Sequence, residues 1–278
     1  MGGAGMLSDI TIGQYYKENS FVHRLDARMK LLLTMLFIVI IFLCKNFLAL
    51  SLMLLLTVVS VILSKVPFKM FFKSIKPLIP IIIFTVILNM IYIKGGTVLL
   101  SWWKIEITTK GIFTAVFMAF RIITLIFCSS LLTYTTAPTE LTDAVERLLS
   151  PLKVFHVPVH SLAMMMTLAL RFIPTLIDET DKIMSAQKAR GADFEEGKFF
   201  ERAKNMVSIL IPLLVGATRR ANDLALAMDA RCYHGGEGRT KMKPLKYSKR
   251  DFAAYVIICA YFVMVLVCGH YNFLHINM

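Results

Sequence analysis

Apolar runs long enough to cross a bilayer constrain this chain more than any other feature of its sequence. A spanning helix needs about 20 mostly apolar residues. Five stretches supply them: Leu31 to Leu43 extended back to Ala27, Phe47 to Leu63, Pro77 to Ile93, Gly111 to Tyr134, and Phe252 to Gly269. Lys45-Asn46 makes a very tight connection between the first two, and Arg121 interrupts the fourth. Composition agrees, with 57% hydrophobic residues and a mean hydropathy of +0.67, against about 45–50% apolar usage in soluble proteins. The expected fold is an all-α integral membrane protein with five transmembrane helices.

Charge gives the orientation. The chain carries 31 Lys and Arg against 18 Asp and Glu, and such an excess gathers in cytoplasmic segments. Lys17, Arg24, Arg28 and Lys30 surround the start of the first span, and Lys65, Lys69, Lys73 and Lys76 follow the second. The longest basic region runs from Arg147 to Arg250, between the fourth and fifth spans. The opposite connections hold only Lys45 and the trio Lys94, Lys104 and Lys110, and no Lys or Arg follows the fifth span. Five spans with a cytosolic amino terminus place every basic-rich segment inside. No signal-peptide pattern is expected, since polar and charged residues run from Ser8 to Lys30. Nucleic acid is not an expected partner, because the basic residues do not interleave with aromatics and no recognition motif occurs. The five cysteines, Cys44, Cys128, Cys232, Cys259 and Cys268, show no metal-ligand spacing and suggest no disulfide framework.

This divides the chain into a membrane domain over residues 1–136, a cytosolic coupling domain over 137–251, and a last span with an external tail over 252–278. The middle region is long and cytosolic by its charge, yet rich in Leu, Met and Ile. Thr139 to Leu149 reads as a short amphipathic helix. Longer ones follow from Val159 to Arg190 and from Phe199 to Arg231, with apolar residues at three- and four-residue steps. Pro174 and Pro212 are expected to kink them. Neither reads as a span: Met206 to Ala217 is too short to cross, and Arg171 sits in the middle of Ser161 to Ile177, a costly place in lipid. Interfacial or cytosolic helices are expected.

The two long helices end alike, one in Ala189-Arg190-Gly191 and the other in Ala230-Arg231-Cys232. Each has an Ile-Pro-x-Leu upstream, at Ile173 and Ile211. A basic residue in a last turn is favoured by the helix dipole, and glycine suits the left-handed cap, so capping alone accounts for one such end. A pair on matched amphipathic helices suggests more. Each tip would present a planar guanidinium between small neighbours to a carboxylate on a partner.

Other residues invite two readings each. Arg121 is a functional candidate as an intramembrane charge, paired inside the bundle or facing a membrane partner; alternatively the true span is shifted and it lies at a wet interface. Met164, Met165 and Met166 supply either an adaptable apolar surface or ordinary packing. His156 and His160 are four apart, but Pro158 between them spoils a helical metal pair. Trp102 and Trp103 are placed to anchor at the outer interface. No GxxxxGK[ST] phosphate loop and no nucleophile or paired-carboxylate motif occurs, so a non-catalytic chain that binds no cofactor is expected. A self-sufficient secondary transporter or channel would show broken spans in two matching halves, which five spans split by a long arm do not offer.

Several segments together resemble a known family. They are Gly13-Gln14-Tyr15, His23-Arg24-Leu25-Asp26-Ala27-Arg28-Met29-Lys30-Leu31, Leu141-Thr142-Asp143, Leu148 to Leu152 and Ala169-Leu170-Arg171-Phe172-Ile173-Pro174. Ala186-Gln187-Lys188-Ala189-Arg190-Gly191-Ala192 and Ala225 to Arg231 match best. With them the chain resembles the transmembrane T component of energy-coupling factor (ECF) transporters, nearer to the type shared among several substrate-binding S components. The resemblance implies a scaffold in the prokaryotic cell membrane. It would join an S component for vitamins or metal ions to two cytosolic ATP-binding-cassette ATPases, with ATP and Mg held by those ATPases. It also implies that Arg190 and Arg231 dock in grooves on the ATPases. Cys232 replaces the commoner glycine, which puts the second cap geometry in doubt.

Overall fold

A computed structural model describes residues 15–102, 105–192, 199–235 and 249–270. Its elements are helices α1 (Ala27–Leu43), α2 (Phe47–Ser64), α3 (Phe68–Ile75) and α4 (Ile79–Tyr92), strands β1 (Val98–Trp102) and β2 (Ile105–Thr108), then helices α5 (Thr109–Thr135), α6 (Pro138–Leu148), α7 (Val159–Ala189), α8 (Phe199–Asp229) and α9 (Lys249–His270). Among the described residues the protein is all-α apart from one antiparallel hairpin.

Each expected helix forms within a few residues of its sequence bounds, with three differences. A short amphipathic helix, α3, precedes the third span and joins it through a 3-10 turn at Lys76–Leu78, so the apolar stretch runs from Phe68 to Tyr92. Between α4 and α5, β1 and β2 replace what reads as a plain loop. The third difference concerns α7. Among the described residues, five helical stretches are long and apolar enough to cross a membrane by length and composition: α2, Phe68–Tyr92, α5, α7 and Arg250–Gly269. The sequence reading kept α7 out of the bilayer on account of Arg171. By length and composition it qualifies, because Arg171 is the one Asp, Glu, Lys or Arg between Val159 and Ile177, which leaves a long enough apolar window. At 17 residues α1 lies at the short limit for a span. Pro174 and Pro212 lie inside continuous helices.

Tyr15–Ala144 and α9 form one compact unit, and the described part of Val145–Pro244 forms another. In the first, α1, α2, α5 and α9 bury Leu33, Phe37, Ile41, Met53, Cys128, Phe262 and Val265 between them. A smaller cluster joins Val61, Val66, Phe71 and Tyr134. Outward faces stay apolar and exposed, with Met35, Val39, Leu55, Val59, Ile83 and Val263 among them. A lipid solvent accepts that surface; water would not.

Side chains from neighbouring segments satisfy the ends of these helices. Asp26 caps α1 by accepting from the Arg28 backbone N–H at 2.9 Å, and its carboxylate also holds the Arg28 guanidinium through Nε at 3.1 Å and Nη2 at 2.9 Å. Asp251 of α9 in turn accepts from the Asp26 N–H at 3.1 Å. Lys30, although buried, donates to the carbonyls of His23 at 3.1 Å and Thr135 at 2.9 Å, tying the segment before α1 to the last turn of α5. His23 donates from Nε2 to the Tyr16 carbonyl at 2.9 Å and accepts at Nδ1 from the Ser20 hydroxyl at 2.7 Å. That arrangement suits a neutral ring, and burial indeed pushes the His23 pKa below its ordinary value. At the other end of the bundle Asn46 Nδ2 donates to the Gly269 carbonyl at 3.1 Å. Thr108 Oγ1 bonds the Ile93 carbonyl at 2.9 Å while accepting the Gly111 N–H at 3.2 Å.

Removing the Lys30 ammonium takes the donor from the half-buried His23 carbonyl and the buried Thr135 carbonyl, and a buried unsatisfied group costs about 1–3 kcal/mol. Lys30→Met is therefore expected to lower the thermal unfolding midpoint of the detergent-purified protein markedly. Lys17→Met, which alters an exposed residue of the same segment, should leave it within a degree or two.

Candidate functional site

Arg190 and Arg231 both lie in the second unit, on a hairpin of α7 and α8. Three pairs fix the packing of these helices. Gln187 Nε2 donates to the Ser208 carbonyl at 3.4 Å, Arg220 Nη2 meets Glu179 Oε2 at 2.6 Å, and the Tyr233 hydroxyl donates to Met164 Sδ at 2.8 Å. As positions fall along α7 they rise along α8, so the helices are antiparallel and their carboxyl ends point to opposite ends of the hairpin. Each helix has 31 residues and is about 45 Å long at 1.5 Å per residue. Tyr233 of the second tip lies beside Met164, so the two arginine tips are separated by the stretch from Met164 to Arg190, about 39 Å.

Both tips close in the same way. In α7 the Ala192 N–H reaches back to the Gln187 carbonyl at 3.0 Å and the Gly191 N–H to the Lys188 carbonyl at 3.0 Å, with Gly191 left-handed at φ +85°. In α8 the Tyr233 N–H reaches the Met228 carbonyl at 3.1 Å and the Cys232 N–H the Asp229 carbonyl at 2.9 Å, with Cys232 left-handed at φ +55°. These are two Schellman caps with the same bonding pattern. The doubt over the second cap is thereby removed: cysteine adopts the conformation that glycine takes at the first tip, at the cost of a crowded Cβ.

Because each cap satisfies its helix carbonyls through backbone N–H groups, the arginine side chain is not needed for that task. Ala189, Arg190 and Gly191 are exposed, and so are Ala230, Arg231 and Cys232. Among the described residues neither guanidinium makes a hydrogen bond or ion pair. Around Gly191 nothing lies within 4 Å of where a Cβ would stand. Each tip offers five unused donors on a rigid helix end between side chains that obstruct nothing, which is an arrangement for gripping a carboxylate.

The hairpin itself is held by residues that periodicity alone does not reveal. Glu179 and Arg220 pair at its middle, where Gly216 leaves room: a Cβ there would come 2.8 Å from Glu179 Oε1. A mid-helix glycine costs about 1 kcal/mol relative to alanine, and that was the available signal of close approach. Near the Arg231 tip, Tyr233 lies 3.5 Å from His160 Nε2, and His160 Nδ1 lies 3.0 Å from Glu146 Oε1. His160 is thereby engaged in packing the tip, while His156 sits left-handed at the end of a 3-10 turn. Among the described residues no group of His, Cys, Asp and Glu could hold a metal ion.

The remaining candidates fall elsewhere. In the membrane unit the Arg121 Nη2 donates to the Cys44 carbonyl at 2.6 Å, and its guanidinium lies 4.7 Å from the Phe117 ring centroid. It thus caps the end of α1 inside the bundle. On α7, Met164 turns toward Tyr233 while Met165 and Met166 are exposed. They join an apolar surface on this hairpin that includes Leu162 and Ile173 on α7, and Leu210, Leu214 and Leu226 on α8. Trp103 and the Trp102 side chain lie outside the described residues.

Comparison with known proteins follows the same lines. Residues 18–242 match the model of the CbiQ family, described as cobalt transport protein. A protein of Clostridium kluyveri is 50% identical over 265 residues, covering 95% of this chain and 96% of its own length. One of Ruminiclostridium cellulolyticum is 49% identical, covering 96% and 100%. A Lactococcus lactis protein is 44% identical, covering 94% and 98%. All three are named energy-coupling factor transporter transmembrane protein EcfT.

If left-handed backbone strain is confined to the second tip, Cys232→Gly should raise stability by about 1 kcal/mol, while Gly191→Ala should lower it by a similar amount. Urea or thermal unfolding of the purified protein checks both. Equal effects of one sign would contradict the shared cap.

Proposed function

The chain belongs to the energy-coupling factor transporter transmembrane proteins, within the CbiQ family, and from that premise we propose that it is the scaffold that turns ATP-driven motion into substrate uptake. Its bundle sits in the prokaryotic cell membrane, with the amino terminus and the coupling region, residues 137–251, facing the cytosol, an orientation that the distribution of Lys and Arg supports. Two cytosolic ATP-binding-cassette ATPases dock on the tips at Arg190 and Arg231. An S component that captures a vitamin or metal ion packs on the exposed apolar face around Met165, Met166 and Leu214. ATP and Mg belong to the ATPases, and this chain catalyses no reaction.

The observation that carries this reading is the pair of self-capped helix ends at opposite ends of one hairpin. Tips about 39 Å apart reach two separate subunits more readily than two sites on one small domain. When ATP draws the ATPases together, the two tips are displaced in opposite senses. The α7–α8 pair must then scissor about its middle, where the Glu179–Arg220 contact and Gly216 lie. That movement reaches any membrane partner resting on the apolar face of the same helices.

Truncating one member of a desolvated interface charge pair costs about 2–5 kcal/mol. A tagged Arg190→Ala/Arg231→Ala protein is therefore expected to co-purify with less than a tenth of the ATPase retained by the wild type. The S component should stay bound, because its apolar footing is untouched. Full retention of ATPase by the double variant would overturn the docking role of the tips.

A further inference from the structure

The membrane unit contains a cavity of about 230 Å³ lined by Asn19, Ser20, Phe21, Arg24, Lys65 and Arg250, together with Leu25. We propose that this cavity is a binding site for the phosphate-bearing headgroup of an anionic membrane lipid. Three cations from three separate parts of the chain converge on it: the turn before α1, the residue after α2, and the first turn of α9. No carboxylate is among its lining residues. Asp26 and Asp251, which adjoin lining residues in sequence, are buried, and Asp26 already holds Arg28.

One of the cations occupies a place that local structure disfavours: Lys65 is left-handed at φ +58°, a conformation that glycine adopts without strain.

A lipid, rather than a free anion, is favoured by where the cavity lies. The amino ends of α1 and α9 and the carboxyl end of α2 meet there, which is the level at which apolar helices leave the hydrocarbon and lipid phosphates begin. Directly alongside the cations the chain exposes large apolar side chains: Ile62 at 58% and Leu63 at 51% before Lys65, and Phe252 at 71% after Arg250. These give acyl chains a surface to lie against.

The test is native mass spectrometry of the full chain in mild detergent, with phosphatidylglycerol or phosphatidylcholine added. Wild type should retain phosphatidylglycerol preferentially, and Arg24→Gln/Lys65→Gln should weaken that retention by about thirty-fold, from roughly a tenfold-or-less contribution per cation. Lys69→Gln/Lys73→Gln, which removes equal charge outside the cavity, should retain it as wild type does. Lys65→Gly separates binding from folding: it should raise the thermal midpoint in lipid-free detergent while lowering lipid retention. Equal loss in the Lys69/Lys73 variant would reduce the site to general surface charge and overturn the proposal. Equal retention of the two lipids, or full displacement of phosphatidylglycerol by millimolar inorganic phosphate, would overturn it as well, the latter by assigning the cavity to a free anion.

Discussion

The last carbonyls of a helix have no partners within it, and in hydrocarbon or in a packed bundle water cannot supply them. Much of this protein follows from how that demand is met. In the membrane unit, side chains from other segments meet it: Arg121 on Cys44, Lys30 on Thr135, Asn46 on Gly269 and Thr108 on Ile93. Each of these bonds joins parts of the chain distant in sequence, so satisfying the helix ends also fixes which helix lies beside which. The buried charges act as structural ties, and the bundle does not need them for chemistry.

Helices α7 and α8 solve the same problem locally. A Schellman cap closes each carboxyl end with backbone N–H groups, and the arginine beside it is left with its donors unspent. One family of groups, arginine and lysine at helix ends, thus serves two purposes according to how the carbonyls are satisfied. Arg121 and Lys30 are consumed by the bundle, whereas Arg190 and Arg231 remain available to a partner.

How far this was legible in the sequence depended on the range of the signal. Apolar runs and three- and four-residue periodicity located the helices, because burial and lipid contact act on every turn. The repeated Ala-Arg ending marked both tips, since a cap is a local motif of a few residues. The roles of Lys30, Asp26 and Asp251 were not legible, although the first two lie within the motif Asp26-Ala27-Arg28-Met29-Lys30 that carried the family resemblance. Their partners stand as far as 225 positions away, and no local pattern encodes such a pairing. The β1–β2 hairpin was missed because its strands are short and lack clear alternation, while α7, which Arg171 removed from the expected spans, is long and apolar enough to cross by length and composition. Arg121 looked like a mid-span charge by residue count; it sits level with the α1–α2 turn because α5, at 27 residues, is longer than α1.

The central claim is that the two guanidinium tips contact two ATP-binding-cassette subunits while the apolar flank of the same hairpin contacts a membrane partner. Photo-crosslinking in intact cells tests this directly, with a crosslinking amino acid placed in turn at positions 190, 231 and 214. The account predicts adducts with an ATPase from positions 190 and 231, and with a small membrane protein from position 214. ATPase adducts from position 214 alone, or from none of the three, would contradict it.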